Sequence, residues 1–252
     1  MYDNAKAVTA YLHGEHERAA AMFLSGAEEG DIFGAFNYAH CLWRGIGIEK
    51  DAAAARSFFT FASELSGGDA QYNLAILYMH GEGCKRDYRK AFSHMQTAAE
   101  LGCVEAMLYL GNAYTTGTLF EPDIIGICRV PYHTPEFRSA AFYLEGDIDE
   151  AEADEEARVR VVSADAGEAF YWFSRAAHHD PTYAAELVAK GQFLYAKCYL
   201  DGFGTEYNRE LGLKLMLLAG ANGSPEAAGF LAEQGVPVAL LEEFKKKRND
   251  AP

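Results

Sequence analysis

Basic residues are scarce in this chain: 22 Lys and Arg stand against 37 Asp and Glu, a formal net charge of −15 at pH 7. A surface of that sign repels a phosphate backbone, which sets nucleic-acid binding aside. The basic amphipathic helix of a membrane-surface binder is missing as well. Long apolar runs are absent: no stretch reaches the ~20 residues of a spanning helix, so membrane insertion is not expected. The start, Met1-Tyr2-Asp3-Asn4-Ala5-Lys6, lacks the charged and apolar regions of a signal peptide, and a cytoplasmic location is expected. Cysteine is sparse and irregular, five in all. Cys41 and Cys198 stand where other segments carry Leu77 and Ala113, which reads as small apolar filler rather than a disulfide framework. Runs of β-branched residues are rare and helix formers dominate, so an all-helical chain is expected.

Catalytic constellations are missing too. The glycine turns lack the Gly-Lys-Ser/Thr ending of a phosphate cradle and follow helices rather than strands. His13, His16 and Glu17 have a spacing that could touch a metal, but without further ligands they read as an exposed helix start. His178-His179 falls at a helix end, where imidazolium suits the dipole. His80 occupies a position held elsewhere by Arg44, Thr116 and Asp201 and reads as solvated; His94, aligned with Phe58 and Trp172, reads as packed. No catalytic residue, metal or cofactor is expected.

What is present is a repeat of about 36 residues. Phe36-Asn37-Tyr38-Ala39, Tyr72-Asn73-Leu74-Ala75 and Leu108-Tyr109-Leu110-Gly111 align, and so do Gly45, Gly81 and Gly117. Each unit reads as helix A, short turn, helix B, glycine loop. In the second unit Gly67-Gly68 is expected to stop helix A and Asp69 to cap a helix B that runs to His80. Five A helices are expected to begin near residues 17, 52, 88, 166 and 209. Across them a small residue (Ala19, Ala55, Ala91, Ala169, Gly212) precedes a large one (Phe23, Phe59, Met95, Phe173, Met216), and a second small one follows (Gly26, Ala62, Ala98, Ala176, Ala219). That order suits helices packed at close range in a stack.

At these residues the chain resembles the Sel-1-like repeat family, a branch of the tetratricopeptide-type helical repeats. Asp69-Ala70-Gln71-Tyr72-Asn73-Leu74-Ala75 and Gly81-Glu82-Gly83-Cys84-Lys85-Arg86-Asp87 are similar to its helix-B and turn patterns. Gly45-Ile46-Gly47-Ile48-Glu49-Lys50-Asp51 and Gly202-Phe203-Gly204 repeat the turn, and Ala169-Phe170-Tyr171-Trp172-Phe173-Ser174-Arg175-Ala176-Ala177 matches helix A. The resemblance implies an all-α fold, a right-handed α-solenoid of stacked helix-turn-helix repeats. It also implies a non-enzymatic scaffold or adaptor that binds another protein on a concave face. A narrower version is a bacterial immunity or accessory protein that neutralises or escorts an effector. A rival of another class, a β-lactamase-like hydrolase, finds neither regular cysteine pairs nor a Ser-x-x-Lys segment here.

The expected organisation is repeats 1–3 over 1–117, an insertion over 118–166, repeats 4–5 over 167–235, and a capping helix with tail over 236–252. The capping helix is placed at 238–248, ending in Lys245-Lys246-Lys247-Arg248. The first half of the insertion, with Pro122, Gly126 and Pro131, reads as a loop or short hairpin. Its stretch 145–156 holds eight carboxylates and no basic residue, and lacks the glycine of a calcium-binding EF-hand loop. Asp147, Asp149, Glu150, Asp154 and Glu155 are the candidate docking strip for a basic protein partner. Trp172, aligned with Met22, Phe58 and Leu215, reads as core. Tyr171 and Arg175, aligned with mostly small or polar residues, are the candidate surface contacts. A monomer is expected.

Overall fold

Side-chain caps open most of the helices in this computed structural model, which describes residues 2–65, 68–117, 119, 128–129, 141–142, 161–182 and 184–237. The helices are α1 (Asn4–Leu12), α2 (His16–Glu28), α3 (Ile32–Arg44), α4 (Ala52–Leu65), α5 (Gly68–His80) and α6 (Tyr88–Glu100). They continue with α7 (Val104–Thr116), α8 (Ala166–Ala177), α9 (Ala185–Asp201), α10 (Arg209–Ala221) and α11 (Pro225–Glu233). The fold is an all-α solenoid of helical repeats. Its one departure among the described residues is an antiparallel pair inside the insertion, β1 (Cys128–Arg129) with β2 (Ala141–Phe142). The A helices α2, α4, α6, α8 and α10 start within one residue of the positions read from the repeat.

Each glycine loop that leads from a B helix into an A helix is closed in the same way. Its first glycine is left-handed (Gly45, Gly81, Gly117 and Gly202, φ 67 to 74°) and ends helix B. The residue before helix A then donates its N–H back into the helix just left: Asp51 to Leu42 O at 2.8 Å, and Asp87 to Tyr78 O, Asp165 to Tyr114 O and Asn208 to Tyr199 O, each at 2.9 Å. The same residue caps the next helix with its side chain. Asp51 accepts from Ala54 N, Asp87 from Arg89 N and Lys90 N, Asp165 from Gly167 N and Glu168 N, and Asn208 from Leu211 N. The insertion interrupts one of these loops, yet Gly117 and Asp165 keep the clasp across it. Long additions to a loop cost little entropy once its ends are pinned.

Two compact units divide the chain, one of residues 1–103 with 119–161, the other of 104–118 with 162–252. In the first, the small–large–small positions are all buried: Ala19, Phe23 and Gly26 on α2, Ala55, Phe59 and Ala62 on α4, Ala91, Met95 and Ala98 on α6. Phe59 packs edge-on to Phe36 and Trp43 of α3 at 5.6 and 5.9 Å. Trp43 donates Nε1–H to Glu82 Oε2 at 2.8 Å, which ties α3 to the next glycine loop. In the second unit Ala169, Phe173 and Ala176 on α8 and Gly212, Met216 and Ala219 on α10 are likewise buried. Gly111 on α7 leaves room for the Phe173 ring, since a Cβ there would lie 2.3 Å from it.

One polar side chain in the first unit is exceptional. His40 of α3 is 1% exposed, edge-on to Trp43, and its Nδ1 finds no hydrogen-bond partner among the described residues. Burial, with Arg44 adding to it, pushes its pKa down to about 3. The folded state therefore requires neutral imidazole, whereas the unfolded chain protonates near 6.5. Stability from this group is complete above about pH 6.5 and falls as pH drops from there toward 3. Between pH 7 and pH 5 the loss should be roughly 2 kcal/mol. Urea unfolding at both pH values measures it, and His40→Leu should flatten the difference by that amount. An undiminished difference in the variant would place the sensitivity elsewhere.

The structure departs from the sequence reading at several points. Helix α1 was not anticipated. A His13-Gly14-Glu15 turn joins it to α2, with Gly14 left-handed and Glu15 N–H donating to Ala10 O. It falls out of the 36-residue phase, although its Tyr11-Leu12-His13-Gly14 ending parallels Tyr78-Met79-His80-Gly81 and could have marked it. Gly68 begins α5 instead of stopping α4, so Asp69 lies in the first turn of α5 and is not its N-cap. There the α5 backbone closes on the end of α6, where a Cβ on Gly68 would meet Ala98 O at 3.2 Å. Gly67 lies outside the described residues. His80 is half-buried rather than solvated. The expected capping helix over 238–248 also lies outside the described residues.

Candidate functional site

Helix α8 carries the two surface residues expected to meet a partner. Its inner face is fixed by Ala169, Phe173 and Ala176, so Tyr171 faces outward and is 50% exposed. Trp172 beside it is 5% exposed and belongs to the core, as its alignment with apolar residues implied. One turn on, the Arg175 guanidinium lies 5.4 Å from the Trp172 ring centroid and 5.9 Å from that of Tyr171. The two rings meet edge-on at 5.0 Å. Spacings of three and four residues bring these groups to one face of the helix, and cation–π attraction holds the guanidinium over them. The buried indole thus roots a half-buried Arg175 beside an exposed Tyr171. The aligned position of Arg175 on α4 is Phe61, which is exposed.

Next to this pair is an aromatic cluster between α8 and α9. Phe170 lies 5.2 Å from Tyr195 and 5.6 Å from Tyr199, and the two tyrosine hydroxyls are 3.2 Å apart. His178, the C-cap of α8, packs edge-on to Tyr195 and places Nδ1 2.7 Å from Ser174 O. Sequence reasoning passed over Tyr195 and Tyr199, since their aligned residues in other B helices are partly ordinary core leucines.

The five acidic residues of the expected strip, Asp147, Asp149, Glu150, Asp154 and Glu155, lie outside the described residues. His13 and His16 are exposed at the α1–α2 turn, and His16 packs edge-on to Tyr11 at 5.3 Å. His94 is packed: its ring stacks on Tyr78 at 5.3 Å with Nδ1 2.6 Å from Gln71 Oε1, and burial lowers its pKa. Cys41, Cys103 and Cys198 are buried, and burial raises Cys198 to about 11, far from the thiolate a nucleophile needs. These shifts come from packing into the core.

A second feature was not read from the sequence. In the first unit a cavity of about 500 Å³ opens between α4, the end of α5 and the loop into α6. Among the described residues its wall carries Arg56, Lys85, Arg86, Arg89 and Lys90 against one carboxylate, Asp87. Tyr78 and Tyr88 hold three of the cations, and Lys90 Nζ also pairs with Asp87 Oδ2 at 3.9 Å. Arg56 Nη1 and Arg86 Nη1 lie 3.4 Å from the hydroxyls of Tyr78 and Tyr88, and Lys90 Nζ lies 5.2 Å from the Tyr78 ring centroid. The signal available was the basic cluster Lys85-Arg86, Arg89-Lys90 in an otherwise acidic chain.

Among the described residues no helix is long and apolar enough to cross a membrane. Comparison with known proteins agrees with the fold. The chain is 25% identical to chitin synthase regulatory factor 3 of Schizosaccharomyces pombe over 88% of its length, and 23% identical to chitin synthase regulator SKT5 of Saccharomyces cerevisiae over 93%. It spans only 24% and 39% of those two proteins. The crystal structure of a Sel1 repeat protein from Oxalobacter formigenes superimposes with a TM-score of 0.65 at 18% identity, covering 92% of this chain and 75% of that one. The Sel1 repeat profile matches residues 32–66, 68–103, 104–125, 160–181 and 189–224, more than half of the sequence, and with the clasped glycine loops it shows that the chain belongs to the Sel1 repeat family.

Proposed function

We propose that this protein is a non-enzymatic interaction scaffold that grips a partner protein through the outward face of α8. The observation that carries this reading is the exposed Tyr171 with Arg175 stacked over it and over the buried Trp172. Tyrosine and arginine held in fixed geometry lose little freedom on binding and dominate many interfaces. The fungal relatives point the same way at a coarser level, both being named as regulators of another protein. The acidic stretch with Asp147, Asp149, Glu150, Asp154 and Glu155 adds steering toward a basic surface of the partner, a contribution to association rate that salt screens.

Affinity capture from the native lysate, repeated with Tyr171→Ala and Arg175→Ala, tests the assignment. A captured protein should dissociate from each variant about tenfold faster or more, in line with the loss of a hot-spot contact. Reversing Asp149, Glu150, Asp154 and Glu155 to Lys should slow association and flatten its salt dependence while leaving dissociation unchanged. A partner that binds all variants like wild type would move the interface off α8.

A further inference from the structure

The cationic cavity of the first unit is a binding site in its own right, and we propose that it takes an acidic segment of a partner polypeptide, one presenting several Asp or Glu carboxylates. The inference rests on the scaffold reading only in taking the ligand to be a polypeptide. Five cations share one wall of a protein whose net charge is −15. Like charges gathered this closely repel one another, and against all five the wall offers one counter-ion, Asp87, whose Oδ2 lies 3.9 Å from Lys90 Nζ, with tyrosine rings and hydroxyls at Arg56, Arg86 and Lys90. Its one described carboxylate, Asp87, is already engaged, accepting from Arg89 N at 3.1 Å and Lys90 N at 3.0 Å as the cap of α6. Arg56 leaves a buried Nε–H with no acceptor among the described residues. The site therefore has donors and positive charge to spare, and what satisfies both is an anion.

The distribution of the cations selects the kind of anion. Arg56 comes from α4, Lys85 and Arg86 from the loop, Arg89 and Lys90 from the first turn of α6. Arg56 and Lys90 are gathered at Tyr78, whereas Arg86 leans on Tyr88. Charges held at separate places around a cavity of about 500 Å³ match several spaced carboxylates better than one phosphate, which needs its donors to converge. A long nucleic acid or an anionic bilayer would also meet the negative field of the rest of the chain. A short acidic peptide segment meets mainly the cavity.

Fluorescence anisotropy with a labelled peptide of alternating Glu and Asp tests this on the full chain, against a control peptide of Gln and Asn. The acidic peptide should bind, the amide peptide should not, and raising salt should weaken binding several-fold. Lys85→Glu with Arg89→Glu, both exposed positions, should weaken it about tenfold or more with the helical circular dichroism unchanged. Equal affinity in that variant, or equal binding of the amide peptide, would overturn the proposal. Displacement by millimolar inorganic phosphate would show a phosphate site and overturn it too. So would peptide binding that appears only when Asp147, Asp149, Glu150, Asp154 and Glu155 are changed to their amides, because the chain's own acidic stretch would then be the occupant. None of these outcomes depends on Tyr171 or Arg175, so this site and the α8 contact stand or fall separately.

Discussion

Gly83→Ala should destabilise the protein by roughly 2–5 kcal/mol, far more than a methyl group would cost in most loops. Two effects combine at this position. The backbone is left-handed, φ +64°, where a Cβ costs about 1–2 kcal/mol. The added Cβ would also lie 2.3 Å from the carbonyl carbon and 2.4 Å from the oxygen of Ala52, at the start of α4. These are backbone atoms and cannot swing aside, so the loop must lift off the helix. Gly47 and Gly204 make the same approach, to His16 and to Ala166 O at 2.2 and 2.0 Å. The second glycine of each Gly-x-Gly turn is therefore the point where a loop locks onto the A helix of its own unit. Gly14→Ala is the control, because Gly14 has φ +78° but nothing within 4 Å of the added atom. Chemical unfolding should show Gly83→Ala losing at least twice what Gly14→Ala loses. Equal losses would mean that the loop does not bear on α4.

Phe59→Ala should cost about 3–5 kcal/mol, and Phe173→Ala a similar amount. Phe59 is fully buried and meets Phe36 and Trp43 edge-on, so truncation opens a cavity and removes two aromatic contacts. Phe173 fills the space that Gly111 leaves on α7, so its truncation opens a cavity there. In a repeat array each unit is stabilised chiefly by its neighbours. Hydrogen exchange should accordingly quicken in α3 and α5 when Phe59 is cut, as well as in α4. Phe61→Ala, at a position 36% exposed on the same helix, should change stability by less than about 1 kcal/mol. Melting temperatures unchanged by Phe59→Ala and Phe173→Ala would refute the assignment of both side chains to the core.

Much of this fold was legible in the chain because repetition makes local signals reinforce one another. The 36-residue spacing of Gly45, Gly81 and Gly117 located every B-helix end up to the insertion, since only glycine closes that turn without strain. The order Ala55, Phe59, Ala62 and its copies identified the buried face of every A helix, because helical periodicity converts sequence spacing directly into a face. Tyr171 was placed on the surface by the same phase. Helix α1 escaped because its short Gly14 turn breaks that phase, and Asp69 was misread because the contact of Gly68 with α6 is made by residues some 30 positions later.

Periodicity and turn chemistry, both local, were thus enough for the sequence alone to determine the repeat, the starts of the A helices, the glycine ends of the B helices and the core positions. Tertiary structure alone decided what lies between repeats. The burial of His40 beside Trp43, the depth at which Trp172 is buried beneath Arg175, and the gathering of Arg56 with Lys85, Arg86, Arg89 and Lys90 around one cavity all depend on distance or depth in space. Charge and desolvation act through that space rather than along the chain, so an acidic sequence could still fold to hold a cationic cavity.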